Sequence, residues 1–245
     1  MTKTTNKKSN IMAKSTNKKR NNSLLYGLLG STLFAIGDFV MTYGTGDNAL
    51  ISDQYLLSFL TVGIAKIPSW SNLFSLFIVL PGGTLLLTGL FALQKTILTQ
   101  KHKKIYYYII IFSSLHWLVM HTFYNIIFYT SQVCYQEGYE NPAHVTERLF
   151  SHYYGFITYI GITILLPLIY LFWIIASGRT TLSRWICLCD PLITFKLIGT
   201  LASYLPDKTL KSAITAASMN TACVLAFIVL YLFSYIPKSS KSKTN

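Results

Sequence analysis

Six apolar runs of 20 or more residues, 24–43, 72–93, 105–129, 153–176, 185–205 and 212–236, take up most of the chain. Crossing ~30 Å of hydrocarbon takes about 20 mostly apolar residues at ~1.5 Å of rise each, so every run is long enough to span. Composition leaves little alternative. Of 245 residues 52% are hydrophobic and only 12% charged, about half the charge of a soluble domain. The sequence therefore predicts an all-α fold, a polytopic transmembrane helical bundle.

The charges between the runs alternate in kind. The arm before the first run, the second and fourth loops and the tail carry 16 of the 21 Lys and Arg and no acid, whereas the first, third and fifth loops hold six of the eight acids. Cytoplasmic loops are enriched in Lys and Arg, so the pattern predicts six spans with both termini inside. It also accounts for the net charge of +13 without a nucleic-acid partner. The stretch 55–67 is apolar but too short to span, and Pro68 ends it. It reads as an extra outer helix, interfacial or re-entrant. Pro81 and Pro167 fall inside runs, where neighbouring groups must satisfy the carbonyls they free.

Three domains follow: a basic, acid-free arm over 1–23 expected to be disordered, the spanning domain over 24–236, and a basic tail over 237–245. The arm serves as a topology determinant, and its lysines could also touch anionic lipid headgroups. A signal peptide does not fit, because the first run is too long and no small-x-small site follows it. Cys134, Cys187, Cys189 and Cys223 lie at different expected depths and read as structural thiols. Their spacing matches no zinc site, and no cofactor is implied.

Ionisable groups inside spans are rare and costly, which makes each a candidate for function. Counted from the cytoplasmic ends, Asp38 comes out ~21 Å up the first span, His116 and Lys196 ~16 Å up the third and fifth, and Asn220 ~18 Å above the inner boundary. These four converge near mid-depth, with His121 and Asn125 nearer the outside. A functional reading is an intramembrane polar site of Asp38, His116, His121, Lys196 and Asn220, with Asp38 and His116 exchanging protons or binding a cation. A structural reading is an Asp38–Lys196 ion pair that pins the helices.

In the third loop Glu137, Glu140, His144, Glu147 and His152 fall within sixteen residues, and Asn141-Pro142 predicts a helix start. A solvated outer helix explains this cluster better than a metal site does, since Arg148 in the same turn repels a cation. Asp190-Pro191 predicts a second capped helix start, with Asp190 structural. Tyrosines near the run ends suit interfacial belts. The chain has no phosphate loop, no Gly-x-Ser-x-Gly elbow, no His-Glu-x-x-His and no evident internal repeat.

Gly37-Asp38-Phe39 with Tyr43-Gly44, the stretch Gly178-Arg179-Thr180-Thr181-Leu182-Ser183-Arg184-Trp185, and Met219-Asn220 together resemble an uncharacterised bacterial multi-pass membrane family of unknown function. The resemblance covers most of 24–236. It implies a bacterial inner-membrane protein, adds weight to Asp38 and Asn220, and implies no activity. The chain also loosely resembles seven-span ceramidase-like hydrolases, which use several His and an Asp. His116 and His121 sit about 140° apart on a helix and the span count differs, so that mechanism is not carried over.

Three functions stay open. A non-enzymatic membrane protein would need none of the polar residues and ranks first. A proton- or cation-coupled transporter would use Asp38 and His116. A metal-dependent intramembrane hydrolase would use Asp38 with His116 or His121. The small-molecule ligand is not legible. A reporter fused after Asn245 should read cytoplasmic, and an extracellular signal from it would overturn the six-span topology.

Overall fold

The computed structural model describes residues 3–44, 62–140 and 142–233. Nine α-helices make up the described fold: α1 Lys3–Thr42, α2 Val62–Ala65, α3 Trp70–Gln94, α4 Gln100–Gln136, α5 Pro142–Phe150, α6 Tyr154–Ala176, α7 Pro191–Ser203, α8 Lys208–Ala216 and α9 Ser218–Phe233. Among the described residues there is no strand, only a single bridge between Ile97 and Thr180. The fold is all-helical, as the apolar runs predict. α1 begins inside the basic arm, so helical backbone extends into the stretch that composition alone marks for disorder.

Four helical stretches are long and apolar enough to cross a membrane: Asn22–Thr42, Trp70–Gln94, Gln100–Gln136 and Val145–Ala176. Their outer faces expose large apolar side chains such as Phe77, Leu115 and Ile162. Water would penalise those faces and lipid would not, which marks a membrane protein.

The last two predicted runs are not continuous helices. The run 185–205 opens as a 3-10 turn, Arg184–Cys189, and restarts as α7, whose 13 residues reach only ~20 Å. Asp190 causes the restart: its carboxylate accepts from the Leu192 amide at 2.9 Å, with Pro191 in the first turn. The run 212–236 is broken between α8 and α9, which meet at 62°. Four spans are therefore present, or five if that bent pair counts as one crossing. Of the stretch 55–67, residues 55–61 lie outside the described residues and 62–67 hold the short helix α2 and the turn after it.

The prolines behave as the sequence requires. Both sit within unbroken helices. Pro167 has no amide to offer the Thr163 carbonyl one turn back, and Ser113 on α4 donates its hydroxyl to that carbonyl at 2.8 Å. At the end of α6, Gly178 takes φ 72° and Arg179 N bonds back to Ile174 O at 2.9 Å, a helix stop that needs glycine. The chain then pairs with the α3–α4 turn through Leu98 N to Arg179 O and Thr181 N to Thr96 O. The two Lys- and Arg-bearing loops are thereby joined at one end of the bundle.

α1 packs along α3 and α9 through glycine. A Cβ at Gly30 would overlap the backbone of Gly82 and Leu86 on α3, and one at Gly89 would overlap Gly27. Such backbone-to-backbone approach is how helices associate when lipid removes the hydrophobic drive. Gly30→Ala should therefore lower stability in detergent by about 1–3 kcal/mol through overpacking. Gly155→Ala and Gly199→Ala, at helix positions where a Cβ meets nothing within 4 Å, should be neutral or gain up to about 1 kcal/mol. Thermal melts of the three variants check this.

Candidate functional site

Asp38 lies one turn before the end of α1, a poor place for a negative charge because the helix dipole is negative there. Partners on other helices compensate. Asn220 Nδ2, in the first turn of α9, donates to Asp38 Oδ2 at 2.5 Å. His121 on α4 brings Nδ1 to within 3.5 Å of Asp38 Oδ1. The break between α8 and α9 puts the positive end of the α9 dipole on the same side as Asn220. Three sequence-distant helices thus meet at one carboxylate.

The network continues through His121. Its Nε2 lies 3.3 Å from Ser75 Oγ on α3, and with the ring proton on Nδ1 facing the carboxylate, Nε2 accepts from that hydroxyl. Phe34 meets the imidazole edge-on at 5.4 Å. Asn125, one turn along α4, donates its amide to the His121 carbonyl at 3.0 Å. Further along the same α3–α4 interface Asn72 Nδ2 donates to Gln132 Oε1.

The site is closely packed. Ser75 is fully buried, Asn220 and His121 keep 4% and 6% of their surface, and the Asp38 side chain keeps 13%. It is not saturated, because the Oδ1 atoms of Asn72, Asn125 and Asn220 are buried without a hydrogen-bond partner. Buried acceptors left open in this way are uncommon and mark places where something else can bind.

Of the five residues singled out from the sequence, the structure brings Asp38, His121 and Asn220 together. His116 is elsewhere: it bonds back to the Phe112 carbonyl at 2.6 Å and packs on Phe112 and Tyr159, facing α6. The two histidines are five positions apart, and a helix turns each toward a different neighbour. Lys196 is exposed on α7, which packs on α8 and α9, and it makes no ion pair with Asp38. Counting residues gave similar depths but not faces. The 37-residue α4 far exceeds one membrane thickness, so counting from its end also misjudged depth.

Ser75, Asn72 and Gln132 were not anticipated. For Ser75 a signal was available in its one-turn spacing from Ser71, a small polar stripe in an apolar helix. The third-loop cluster does not gather. Glu137, Glu140 and His152 are exposed, and His152 falls in the 3-10 turn after α5. The Asn141 cap and the His144 side chain lie outside the described residues. Among the described residues no three His, Cys, Asp or Glu converge as a metal site, and all four cysteines are free.

Apolar helices of spanning length around a hydrogen-bonded carboxylate are those of a helical membrane protein with a polar cluster inside its bundle. Residues 8–236 match the model of a family of unknown function (DUF6796), and the chain belongs to that family. No curated protein and no solved structure matches it.

Asn220→Ala should cost about 1–3 kcal/mol, since it strands a buried carboxylate. His116→Ala and Lys196→Ala should stay within about 0.5 kcal/mol, as changes outside any buried network do. Thermal melts of the purified variants would separate the two sets, and equal losses in both would contradict this assignment.

Proposed function

We propose that this chain is a multi-pass membrane protein acting as a proton-coupled carrier of a small molecule, with Asp38 and His121 as its proton site, in preference to the non-enzymatic role that would need neither residue. The observation that carries the reading is the carboxylate–imidazole pair, 3.5 Å apart inside the bundle and fixed by Asn220 beside a broken helix. In a low-dielectric interior such a pair is tolerable when it holds one proton between its members. Adding or removing a proton leaves an uncompensated charge, which can be relieved only by moving the helices or binding a counter-ion. Discontinuous helices at ion and substrate sites are a recurring device in secondary transporters. The open Oδ1 of Asn220 is the acceptor that a cation or a protonated substrate group would use.

The same reading keeps six crossings with both termini cytoplasmic, in a bacterial cell membrane. It is supported by the joining of the two Lys- and Arg-bearing loops at one end of the bundle. The turn Arg184–Cys189 and α7, laid end to end, would reach about 32 Å, enough for the fifth crossing.

A second reading rests on a different distance pair. Ser75, His121 and Asp38 stand in the order of nucleophile, base and orienting acid, at 3.3 Å and 3.5 Å. Ser75 is fully buried, and a Cβ on Gly37 would lie 3.0 Å from its oxygen, so no acyl group can approach in this packing. The carrier is favoured. Labelling of Ser75 by a fluorophosphonate would reverse that preference.

The carrier reading is tested in proteoliposomes loaded with a pH-sensitive dye and challenged with amino acids, nucleosides, sugars and organic cations. Wild type should couple uptake of one class to proton movement. Asp38→Asn should cut that flux about tenfold or more, and His116→Gln should leave it intact. Flux that survives Asp38→Asn, or that ignores the pH gradient, would sink the proposal.

A further inference from the structure

At the opposite end of α3 from Asn72, the turn into α4 borders an open cavity of about 330 Å³. Its charged lining is Lys95, Lys103 and Lys104, joined by Gln100, Tyr107 and Tyr108. A volume of this size is at the lower end for small-molecule sites and suits a compact headgroup. The walls are built. Gln94 Nε2 donates to the Lys103 carbonyl at 3.0 Å and ties the last turn of α3 to the first turns of α4. Phe91 holds the Tyr107 ring at 5.5 Å, and Tyr107 meets Tyr108 edge-on at 5.6 Å.

Several lysines in a loop are explained by topology alone. Their convergence is not. Among the described residues none of these three lysines pairs with a carboxylate, and the 94–104 loop contains no acid. The cavity also lies at the N-terminal end of α4, where the helix dipole is positive. No acid occupies the first turn of α4, and Thr99 makes no side-chain cap. Lys101, Lys103 and Lys104 all sit in the opening turns, against that dipole. A helix that starts with cations and lacks an anionic cap is held in place most simply by an external anion, which amides and ammonium groups can share. Leu98 and Tyr108 beside the cavity are 57% and 68% exposed, as residues at a membrane interface are.

We infer that this cavity binds a phosphate-bearing anion at the membrane interface, with Lys95, Lys103 and Lys104 pairing with its phosphate oxygens. The Gln100 amide and the two tyrosine hydroxyls can complete its hydrogen bonds. The headgroup of an anionic phospholipid and free inorganic phosphate share this chemistry. The site is separate from Asp38, so it stands or falls apart from the carrier reading.

The test uses the full chain in nanodiscs of phosphatidylcholine, with phosphatidylglycerol or inorganic phosphate added in separate arms. Lipid retention is read by native mass spectrometry and binding by thermal shift. Wild type should retain one phosphatidylglycerol per chain and melt higher with it. The triple variant Lys95→Gln, Lys103→Gln, Lys104→Gln should weaken that binding about a hundredfold, a factor of about five per lysine, while melting as wild type does in pure phosphatidylcholine. Lys101→Gln, a change outside the cavity lining, and a variant with the arm lysines neutralised should bind like wild type. A shift with inorganic phosphate but not with phosphatidylglycerol would assign the site to a soluble anion. Should the triple variant lose its fold, Lys104→Gln alone must still weaken binding about fivefold. Undiminished binding by the folded variants, binding lost with the arm instead, or wild type that responds to neither ligand would overturn the inference.

Discussion

A carboxylate inside an apolar bundle has to be met by hydrogen-bond donors, and the way Asp38 is met organises this molecule. Asn220 and His121 reach it from α9 and α4, and Ser75 closes the chain of contacts from α3. Four helices that lipid would otherwise leave indifferent to one another are thereby fixed in register. The break between α8 and α9 belongs to the same arrangement, because it sets Asn220 in a first helical turn facing a negative group. Helix restart, buried acid and amide donor make one electrostatic unit.

Close backbone packing supplies the other half of the architecture. Gly27, Gly30, Gly82 and Gly89 let α1 and α3 approach until backbone touches backbone, which fixes how far Asp38 and Ser75 stand from α4. Without that approach the carboxylate would be too far from its partners. Further along, Ser113 relieves the carbonyl that Pro167 leaves open, so the α4–α6 contact carries its own polar tie. The α1–α9, α3–α4 and α4–α6 contacts therefore pair a steric fit with hydrogen bonds between side chains or from side chain to backbone. This is the expected balance where water is absent and hydrophobic burial cannot drive assembly.

The two ends of the bundle differ in character. At the end holding Asp38, polar groups are buried and mostly bonded to one another. At the end where the α3–α4 turn meets the stretch after α6, the polar groups are cationic and accessible. There Arg179 lies 4.3 Å from the Trp173 ring and donates to His102, whose other nitrogen meets Tyr170. A function that moves protons or small molecules would use the first end. The second holds the cationic side chains on which the inferred anion site draws.

Class and most of the helices were legible in the chain, because hydropathy and the period of apolar residues are local properties that survive without knowledge of neighbours. Asp38, Asn220 and the Asp190-Pro191 helix start could be named for the same reason, since a charge, an amide or a capping pair declares itself by residue type. What sequence could not supply was direction. His116 and His121 are equally apparent as letters, and only the packing of α4 between α3 and α6 decides that His121 faces the carboxylate. Lys196 is the sole basic residue of its run, yet α7 turns it outward. The restart at Asp190 and the break before Ser218 likewise interrupt runs whose hydropathy looks continuous. By itself the sequence determined that this chain belongs in a membrane and which polar residues are exceptional there. The tertiary structure decided which of them meet, because meeting depends on helix rotation and close approach, and neither is written in any single segment.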